Sequence, residues 1–554
     1  MVQRKCPQSY MDDRISQLPD DLLLKVLSFL PTKVAVSTSI LSKRWEFLWM
    51  WLPKLEYDDS EYSEEERYKL HSFIDFSLPL HKAPVIESLR LNFDVCNRFD
   101  PIYSDDIEKW VLTAVSRCVH ELSVTLASMH YELAGLPSSL FTCKSLVILE
   151  LTGKIFVNFP RMVFLPSLKF LILRRMFYSN AKSLHQLLIS HCPVLEDLVV
   201  EHNKDDNNTP FTLSVIVPSL QTLTLKISRG SDHSEGLVIN TPSLKYFNIL
   251  YYVEEYARDD DSNYSYYLED TPKLEEADIE STYPDINKFV RSIRAVKRLS
   301  LCIRVNTEEA LYHEGIVFDQ LQHLKLCSCG SNWSKVLVRL LKDSPLLRDL
   351  EVYLNDDHTY SRVDAPVSWQ NQLDCVPTCL LASLETFKWT VVYGSHEEID
   401  LVKYILRNAR CLKAAKILFR PPFCQQEEDK LEMAKQDLSL SFRGKHMFRG
   451  NESNNGYYGP QQNVQGFGQL DYIAPVQDSF FTNQQAIPVL GQIDFRPPPN
   501  FTYSLQVSSS SYSNMSGLFR RLSFVSRSNL VKAIPNMRKQ HRSSIRAELQ
   551  LIRT

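Results

Sequence analysis

The stretch LQTLTL, residues 220–225, places leucine at its first, fourth and sixth positions. This apolar-x-x-apolar-x-apolar pattern returns along the middle of the chain at intervals of about 25 residues. Unrelated strands in an α/β domain rarely repeat one pattern at so steady a spacing, so the sequence predicts a repeat solenoid built around a parallel sheet. The matching segments are 86–91, 119–124, 146–151, 168–173, 195–200, 220–225, 244–249, 274–279, 296–301, 321–326, 347–352, 384–389 and 412–417.

The pattern and its period are those of leucine-rich repeats, with irregular insertions. Successive residues of a strand point to opposite faces, so the residues between the apolar positions are expected on the concave face. Such a face can bind another macromolecule, although a charged strip is often only a solvent-exposed surface without a ligand. The expected exposed positions are Phe170, Ile172, Asp197, Val199, Thr222, Thr224, Asn248, Ser300, Thr386 and Lys388, together with the candidate target-binding residues Tyr246, Glu276, Asp278, Arg298, His323, Lys325, Asp349 and Glu351.

The block at residues 375–418 predicts a strand, a helix and a second strand that close the repeat array. Ser395 and Glu398 form the Ser-x-x-Glu spacing of a capping box, which marks a helix start. The apolar residues of that helix then recur at helical spacing and predict one buried face. A solenoid needs such a terminal cap because its last repeat would otherwise leave apolar surface uncovered.

A second informative region, residues 18–49, predicts three short helices. Pro31 ends the first helix, while Thr32 and Ser42 are placed to cap the second and the third. So few residues cannot bury this many large apolar groups internally, so part of the surface is expected to face a partner. A helical cap on the following domain is the other interpretation. The first helix is predicted to carry on one face Leu22, Val26, Leu27 and Leu30.

Residues 18–49 resemble the F-box in their Leu-Pro start and in the ending LSKRWEFLW, whereas Val34 stands where an acidic residue is frequent. Residues 375–418 look like the FBD motif, and the three-part order is similar to the plant F-box/leucine-rich-repeat/FBD family. The resemblance implies that the F-box binds a Skp-type adaptor, which links to a cullin scaffold in a ubiquitin ligase. The adaptor-binding residues that it implies are Leu18, Pro19, Leu22, Val26, Leu30, Pro31, Leu41, Ser42, Arg44, Trp45 and Leu48.

Composition narrows the class of protein. The 554 residues are 44% hydrophobic and 23% charged, with a net charge of −4 that gives no general attraction to nucleic acid or membrane. No signal peptide or spanning apolar run is evident, so the expected location is the nucleus and/or the cytoplasm. The close cysteine pairs, Cys327-x-Cys329 and Cys375-x-x-x-Cys379, lack a second zinc-binding half, so buried structural thiols are favoured, with no metal and no cofactor.

The C-terminal region changes composition. Asn, Gln, Ser, Gly, Tyr and Pro dominate residues 450–517, which predicts disorder, and lysine and arginine dominate the end of the chain. The fold class is therefore α/β, a three-helix F-box followed by an irregular solenoid, an FBD-type cap and a disordered tail. The predicted domains are an F-box at 11–57, leucine-rich repeats at 80–370, an FBD-like terminal cap at 371–445, a low-complexity disordered linker at 446–518 and a basic tail at 519–554.

Three functions compete. The first is a non-catalytic substrate-recognition subunit of an SCF-type (Skp-cullin-F-box) ubiquitin ligase, which binds the adaptor through the F-box and an unknown target protein through the repeats. The second is an F-box protein that binds the adaptor without a role in ubiquitin transfer. The third is an RNA- or chromatin-associated protein acting through its basic tail, which is less favoured because many basic tails have no defined ligand. No phosphate-binding glycine loop or hydrolase motif supports a catalytic role.

Overall fold

The computed structural model divides the chain into two compact units, and among the described residues the first of them contains 15, 17–53 and Leu80–Ala83. None of the helices in the described part of the chain has the length and hydropathy needed to cross a membrane. The residues that the structure describes are 15, 17–60, 62–93, 104–127, 133–158, 160, 162–178, 192–202, 213–229, 236–253, 265–269, 271–281, 290–303, 316–329, 332–355, 369–370, 374–420, 428–429, 432–433, 435–436, 438 and 469–473.

The first unit is a small helical bundle. Helix α1 (Asp20–Leu27) ends before Pro31, and α2 (Thr32–Ser37) begins directly after that proline. Pro31, and not the predicted Thr32, is the residue that precedes α2. The third predicted helix is a run of turns that ends in a 3₁₀ segment, Leu48–Trp51, so it is shorter than the sequence suggested. The core of this first unit contains Leu23, Leu27, Ala35, Val36, Trp45, Leu48, Trp49, Met50 and Leu52.

The second unit contains the remaining helices and all of the described strands. Its helices are α3 (Glu64–Ser77), α4 (Ser104–Ser116), α5 (Trp333–Asp343), α6 (Thr378–Ala382) and α7 (His396–Asn408). Its strands are β1 (Lys54–Asp58), β2 (Ser88–Phe93), β3 (Glu121–Leu126), β4 (Ile148–Gly153), β5 (Phe156–Val157), β6 (Phe170–Arg174), β7 (Phe177–Tyr178), β8 (Asp197–His202), β9 (Leu213–Ile216), β10 (Thr222–Arg229), β11 (Gly236–Asn240), β12 (Tyr246–Val253), β13 (Ser265–Leu268), β14 (Glu276–Ser281), β15 (Arg298–Ile303), β16 (His323–Cys327), β17 (Asp349–Tyr353), β18 (Thr386–Val392), β19 (Ala414–Phe419) and β20 (Gln469–Ile473).

One long sheet organises this unit. Its strand order is β1-β2-β3-β4-β6-β8-β10-β12-β14-β15-β16-β17-β18-β19-β20, and every described pair is parallel except the last. Smaller parallel sheets of β9, β11 and β13 and of β5 and β7 lie outside this order. Each predicted repeat from residue 86 to residue 417 contributes one strand to the long sheet, so the predicted solenoid is confirmed.

The apolar positions of the repeats form the core. Every apolar position of the pattern is buried, and the most exposed of them, Leu412, keeps only 6% of its surface. Neighbouring strands stack these positions in register, so that Leu223 lies between Leu198 and Phe247. Each coil therefore buries its apolar residues against the coils before and after it, as the repeat pattern predicts.

The strand-helix-strand block after the repeats is also present. The Ser395 hydroxyl accepts a hydrogen bond from the Glu398 N–H, and the Glu398 carboxylate accepts one from the Ser395 N–H, which completes the capping box. The two strands, β18 and β19, extend the long sheet in parallel beyond β17. The cap therefore covers the last repeat by adding strands to its edge.

The segment predicted to be a disordered linker contains one described strand. Strand β20 pairs antiparallel with β19, with Ile417 opposite Leu470. An edge strand offers unpaired N–H and C=O groups to any nearby extended chain, which explains why so polar a segment can pair there. The remainder of the predicted linker and the whole predicted basic tail, 519–554, lie outside the described residues.

Candidate adaptor-binding and target-binding surfaces

Helix α1 presents a row of large apolar side chains to solvent. Leu22, Val26 and Phe29 are 46%, 49% and 74% exposed, although Phe29 already belongs to the turn that follows the helix. Their spacing of four and three residues places them on one side of the helix. We call these three residues the α1 apolar face. Leu27 was predicted on this face, but it is fully buried, as is Leu23.

The structure separates the predicted adaptor-binding residues by exposure. Leu18 and Leu30 are half-buried, whereas Trp45 and Leu48 are buried at 8% and 7% exposure. The side chains of Trp45 and Leu48 therefore pack mainly within the core of their own helical unit. The adaptor-binding role of the whole predicted set stays a prediction. The exposed members of the set are Pro19, Leu22, Val26, Pro31, Leu41, Ser42 and Arg44.

Arg44 has a structural partner within the same unit. Its guanidinium donates to the Asp20 carboxylate, with Nε 2.8 Å from Oδ1, and also to the Leu18 carbonyl oxygen. These bonds hold the segment that enters α1 against the turn that carries Arg44. Any contact that Arg44 makes with a partner would use a side chain already oriented by this ion pair.

Sequence reasoning missed three exposed aromatic residues of this unit. Phe29 is the most exposed of them, and Phe47 and Trp51 are each 46% exposed. The Lys82 ammonium lies 5.6 Å from the centre of the Phe47 ring, and the Lys82 N–H donates to the Met50 carbonyl oxygen at 2.6 Å. The signal for these residues was their aromatic character in a segment too short to bury it, but spacing alone did not indicate which rings stay outside.

On the long sheet, the candidate target-binding residues form two rows. The strand pairings place the members of each row on successive neighbouring strands, and we call these two rows together the charged sheet face. One row runs Tyr246, Glu276, Arg298, His323, Asp349 and Thr386, and the other runs Asn248, Asp278, Ser300, Lys325, Glu351 and Lys388.

Many charges of this face are paired across neighbouring strands. Arg298 Nε donates to Glu276 Oε2 at 3.0 Å, His323 Nδ1 lies 2.7 Å from Asp349 Oδ2, and Lys388 Nζ lies 2.8 Å from Glu351 Oε1. The hydrogen bond that Arg298 donates to the Glu276 carboxylate raises the pKa of Arg298 above its usual range. A partner would therefore meet a fixed pattern of ion pairs, with the charges held in place by the sheet.

Other positions of the face are less polar or less accessible than expected. Tyr246 is 42% exposed at one end of its row. The Lys325 ammonium lies 4.3 Å from the centre of the Tyr353 ring, which is the geometry of a cation–π contact. Ile172 was predicted to be exposed, but it is 3% exposed and belongs to the core. The alternation of side chains along a strand determines only the direction in which each side chain points. Whether a side chain such as Ile172 on β6 is then buried depends on what packs over it.

Burial also perturbs a carboxyl group on this face. Asp197 on β8 is partly buried, and desolvation raises the pKa of its carboxyl above the usual range, while a hydrogen bond from Thr222 acts in the opposite direction. An ionised carboxylate loses hydration when it is buried, so the neutral form is favoured there. This end of the sheet face is accordingly less suited to binding a cation than the rows around Glu276.

The chain matches three family models in the predicted order. The F-box domain matches residues 15–57, a model of the leucine-rich repeats of an FBD-associated F-box protein matches residues 107–277, and FBD matches residues 371–417. The matches to the F-box and to FBD fall on the helical unit and on the strand-helix-strand block described above.

Curated proteins of Arabidopsis thaliana are similar to nearly the whole of this architecture. An F-box/LRR-repeat protein is 60% identical over 399 residues, which span 72% of this chain and 92% of the relative. An F-box/FBD/LRR-repeat protein is 53% identical, with 78% of this chain and 98% of the relative covered. An FBD-associated F-box protein is 46% identical, with coverage of 73% and 92%. The chain therefore belongs to the plant family of F-box proteins that carry leucine-rich repeats and an FBD domain.

Proposed function

We propose that this protein is the substrate-recognition subunit of an SCF-type ubiquitin ligase. In this role the F-box binds a Skp-type adaptor and, through it, a cullin scaffold, while the repeats bind a target protein. The main support for the proposal is the α1 apolar face. Three large apolar side chains exposed on one side of a short helix and the turn after it are typical of a docking surface. Its position within the segment that matches the F-box model supports an adaptor as the partner.

The target-binding half of the proposal is supported by the charged sheet face. Ordered ion pairs on adjacent strands offer a fixed electrostatic pattern, which favours one orientation of a partner over others. We infer that Tyr246, Asp278 and Lys325 are central to this contact, because they add exposed aromatic, acidic and basic groups to the paired charges. The partner that fits this surface is a protein segment with basic and acidic groups in the complementary order.

In this proposal the protein performs no covalent chemistry of its own. It raises the local concentration of the target near a ubiquitin-charged enzyme and orients it, which can supply a large rate increase without a catalytic residue. We propose that it acts in the nucleus or the cytoplasm, where ubiquitin ligases of this type would meet it. An adaptor-binding role without ubiquitin transfer remains the second candidate, since the α1 apolar face supports both equally.

The proposal is tested by co-purification of the full-length protein with a Skp-type adaptor and a cullin. The variant Val26→Ser combined with Phe29→Ala should lose the adaptor, because exposed apolar anchors at an interface contribute about 2 kcal/mol or more each. Leu112→Ser is the matched control, since Leu112 on α4 is 48% exposed and lies in the repeat unit. Retention of the adaptor by the double variant would refute this docking surface.

Target capture and ubiquitin transfer are measured separately. Charge reversal of Asp278 and Lys325 should reduce target capture while adaptor binding persists. Reconstitution with the captured target then separates the two candidate functions, because only a substrate receptor raises ubiquitin transfer to that target. Capture that survives the reversal but is lost when residues 450–554 are deleted would instead support the basic tail as the binding element.

A further inference from the structure

Three cysteine thiols from neighbouring repeats meet beside the long sheet. Cys302 follows Leu301 on β15, Cys327 follows the paired residue Leu326 on β16, and Cys329 lies two residues further on. Their sulfur atoms all lie within 4.8 Å of one another, and Cys302 Sγ is 3.8 Å from Cys329 Sγ. The sequence displays the pair Cys327-x-Cys329, but the third thiol comes from the preceding coil of the solenoid.

The separation of Cys302 Sγ and Cys329 Sγ is that of two ligands around one metal ion, and Cys327 Sγ lies within 4.8 Å of both. With zinc–sulfur bonds of about 2.3 Å, thiolates in tetrahedral or trigonal coordination lie about 3.8–4.0 Å apart. A disulfide requires about 2.05 Å between sulfur atoms, which is much shorter than the separation of Cys302 and Cys329. Among the His, Cys, Asp and Glu side chains of the described residues, these three cysteines form the group whose ligand atoms lie close enough together to hold a metal ion.

The cluster is enclosed in the protein interior. Each of the three cysteines is at most 2% exposed, and Leu354 is buried with them. Tyr353, Val391 and Tyr393 pack against the cluster from β17 and from the end of β18. The backbone N–H of Asn355 donates to Cys327 Sγ at 3.5 Å, a contact that stabilises a thiolate more than a thiol.

The backbone beside the cluster is strained. Val391 has φ of +68° and lies at an irregularity in the pairing of β18 with β19, between Thr390 and Val392. A β-branched residue rarely adopts this left-handed conformation, which is strained and is concentrated at binding and switch sites. Here the distortion accompanies the packing of Val391 against the three thiols.

Two cations lie behind the tyrosines that cover the cluster. The Lys325 ammonium is 4.3 Å from the centre of the Tyr353 ring, and the Arg420 guanidinium carbon is 4.8 Å from the centre of the Tyr393 ring. Hydrogen bonds with Cys327 and Cys329, and then burial, raise the pKa of the Cys302 thiol above its usual range. Three thiolates around a monovalent or divalent ion leave a net negative charge, which these cations partly offset.

We propose that Cys302, Cys327 and Cys329 together bind one thiophilic d¹⁰ metal ion, Zn²⁺ or Cu⁺. Each thiol loses its proton to solvent as its sulfur bonds to the metal, so up to three protons leave for each ion bound. Thiolate sulfur selects these ions over Mg²⁺, Ca²⁺ and Mn²⁺, which prefer oxygen ligands. The bound ion links the coil of β15 to the coil of β16 and fixes the turn that follows β16.

Metal binding is measured on the full-length protein purified with a non-thiol reductant. Zn²⁺ is added in competition with a zinc indicator, and Cu⁺ in competition with a bicinchoninate-type chelator, so the two arms distinguish the ions. We expect one tightly held ion per chain. Cys302→Ala, Cys327→Ala and Cys329→Ala should each lose it, whereas Cys192→Ala and Cys379→Ala, at equally buried cysteines outside the cluster, should retain it.

X-ray absorption of the loaded wild-type protein provides a measurement that needs no variant. Three sulfur neighbours at about 2.3 Å from the metal are expected. Failure of the wild-type protein to hold either ion, unchanged binding by a folded Cys302→Ala variant, or fewer than three sulfur neighbours would each overturn the proposal. Loss of the ion in all three folded variants, with the controls unchanged, would establish it.

Discussion

Replacement of Leu223 by alanine is the sharpest test of the strand register. Leu223 on β10 is fully buried and lies between Leu198 and Phe247 of the adjacent strands. The change removes three carbon atoms, at about 0.8 kcal/mol each, and leaves a cavity that its neighbours fill only in part. We therefore expect the free energy of unfolding around β10 to fall by about 3 kcal/mol.

Hydrogen exchange of the backbone amides is the suitable assay, because a long repeat array need not unfold in one step. A loss of about 3 kcal/mol corresponds to roughly 150-fold faster exchange in β10, since each 1.4 kcal/mol is a factor of ten. Thr224→Ala, one residue along on the half-buried side, is the control and should change stability by less than about 0.5 kcal/mol. Equal effects of the two variants would refute the assignment of faces.

Further predictions concern the helical unit, a backbone position and a carboxyl group. Phe29→Ala should weaken adaptor binding without lowering the melting temperature. Leu23→Ala should lower the melting temperature, because loss of this buried side chain reduces the free energy of unfolding by about 2–5 kcal/mol. The reverse result would contradict the exposure of α1. Gly153→Ala should destabilise the protein because φ is +94° and a Cβ would collide with the Leu126 carbonyl, and unchanged thermal melting would count against this geometry. The pKa of the Asp197 carboxyl is raised by burial, so its ionisation opposes folding as the pH rises above the unfolded-state pKa. Asp197→Asn should therefore raise the melting temperature at pH 7 more than at pH 3. An equal change at both pH values would exclude this linkage.

The repeat architecture was readable from the sequence because it depends on local periodicity. Alternation along a strand decides which side chains point inward, and the repeat length decides that consecutive strands stack. The same reasoning worked for the capping box at Ser395, where both partners lie within one helical turn. It failed at Ile172, whose burial depends on packing beyond its own strand.

The candidate surfaces were readable only in part. The apolar residues of the helical unit were identified, but their division between core and surface was not, because Trp45 and Phe47 are alike in sequence terms and differ in what packs over them. The charges of the sheet face were identified as well. Their pairing, such as Arg298 with Glu276, is a property of strand register.

The sequence by itself determined the order of the three parts, the period of the repeats and the apolar positions that the repeats bury, since each of these follows from spacing along the chain. The tertiary structure decided what lies side by side on different coils. It brought Cys302 to within 3.8 Å of Cys329, although 27 positions separate them, and it extended the sheet through β18 and β19. A solenoid places residues one repeat apart in contact. Because the repeats differ slightly in length, these contacts do not recur at one fixed spacing in the sequence and cannot be predicted from it.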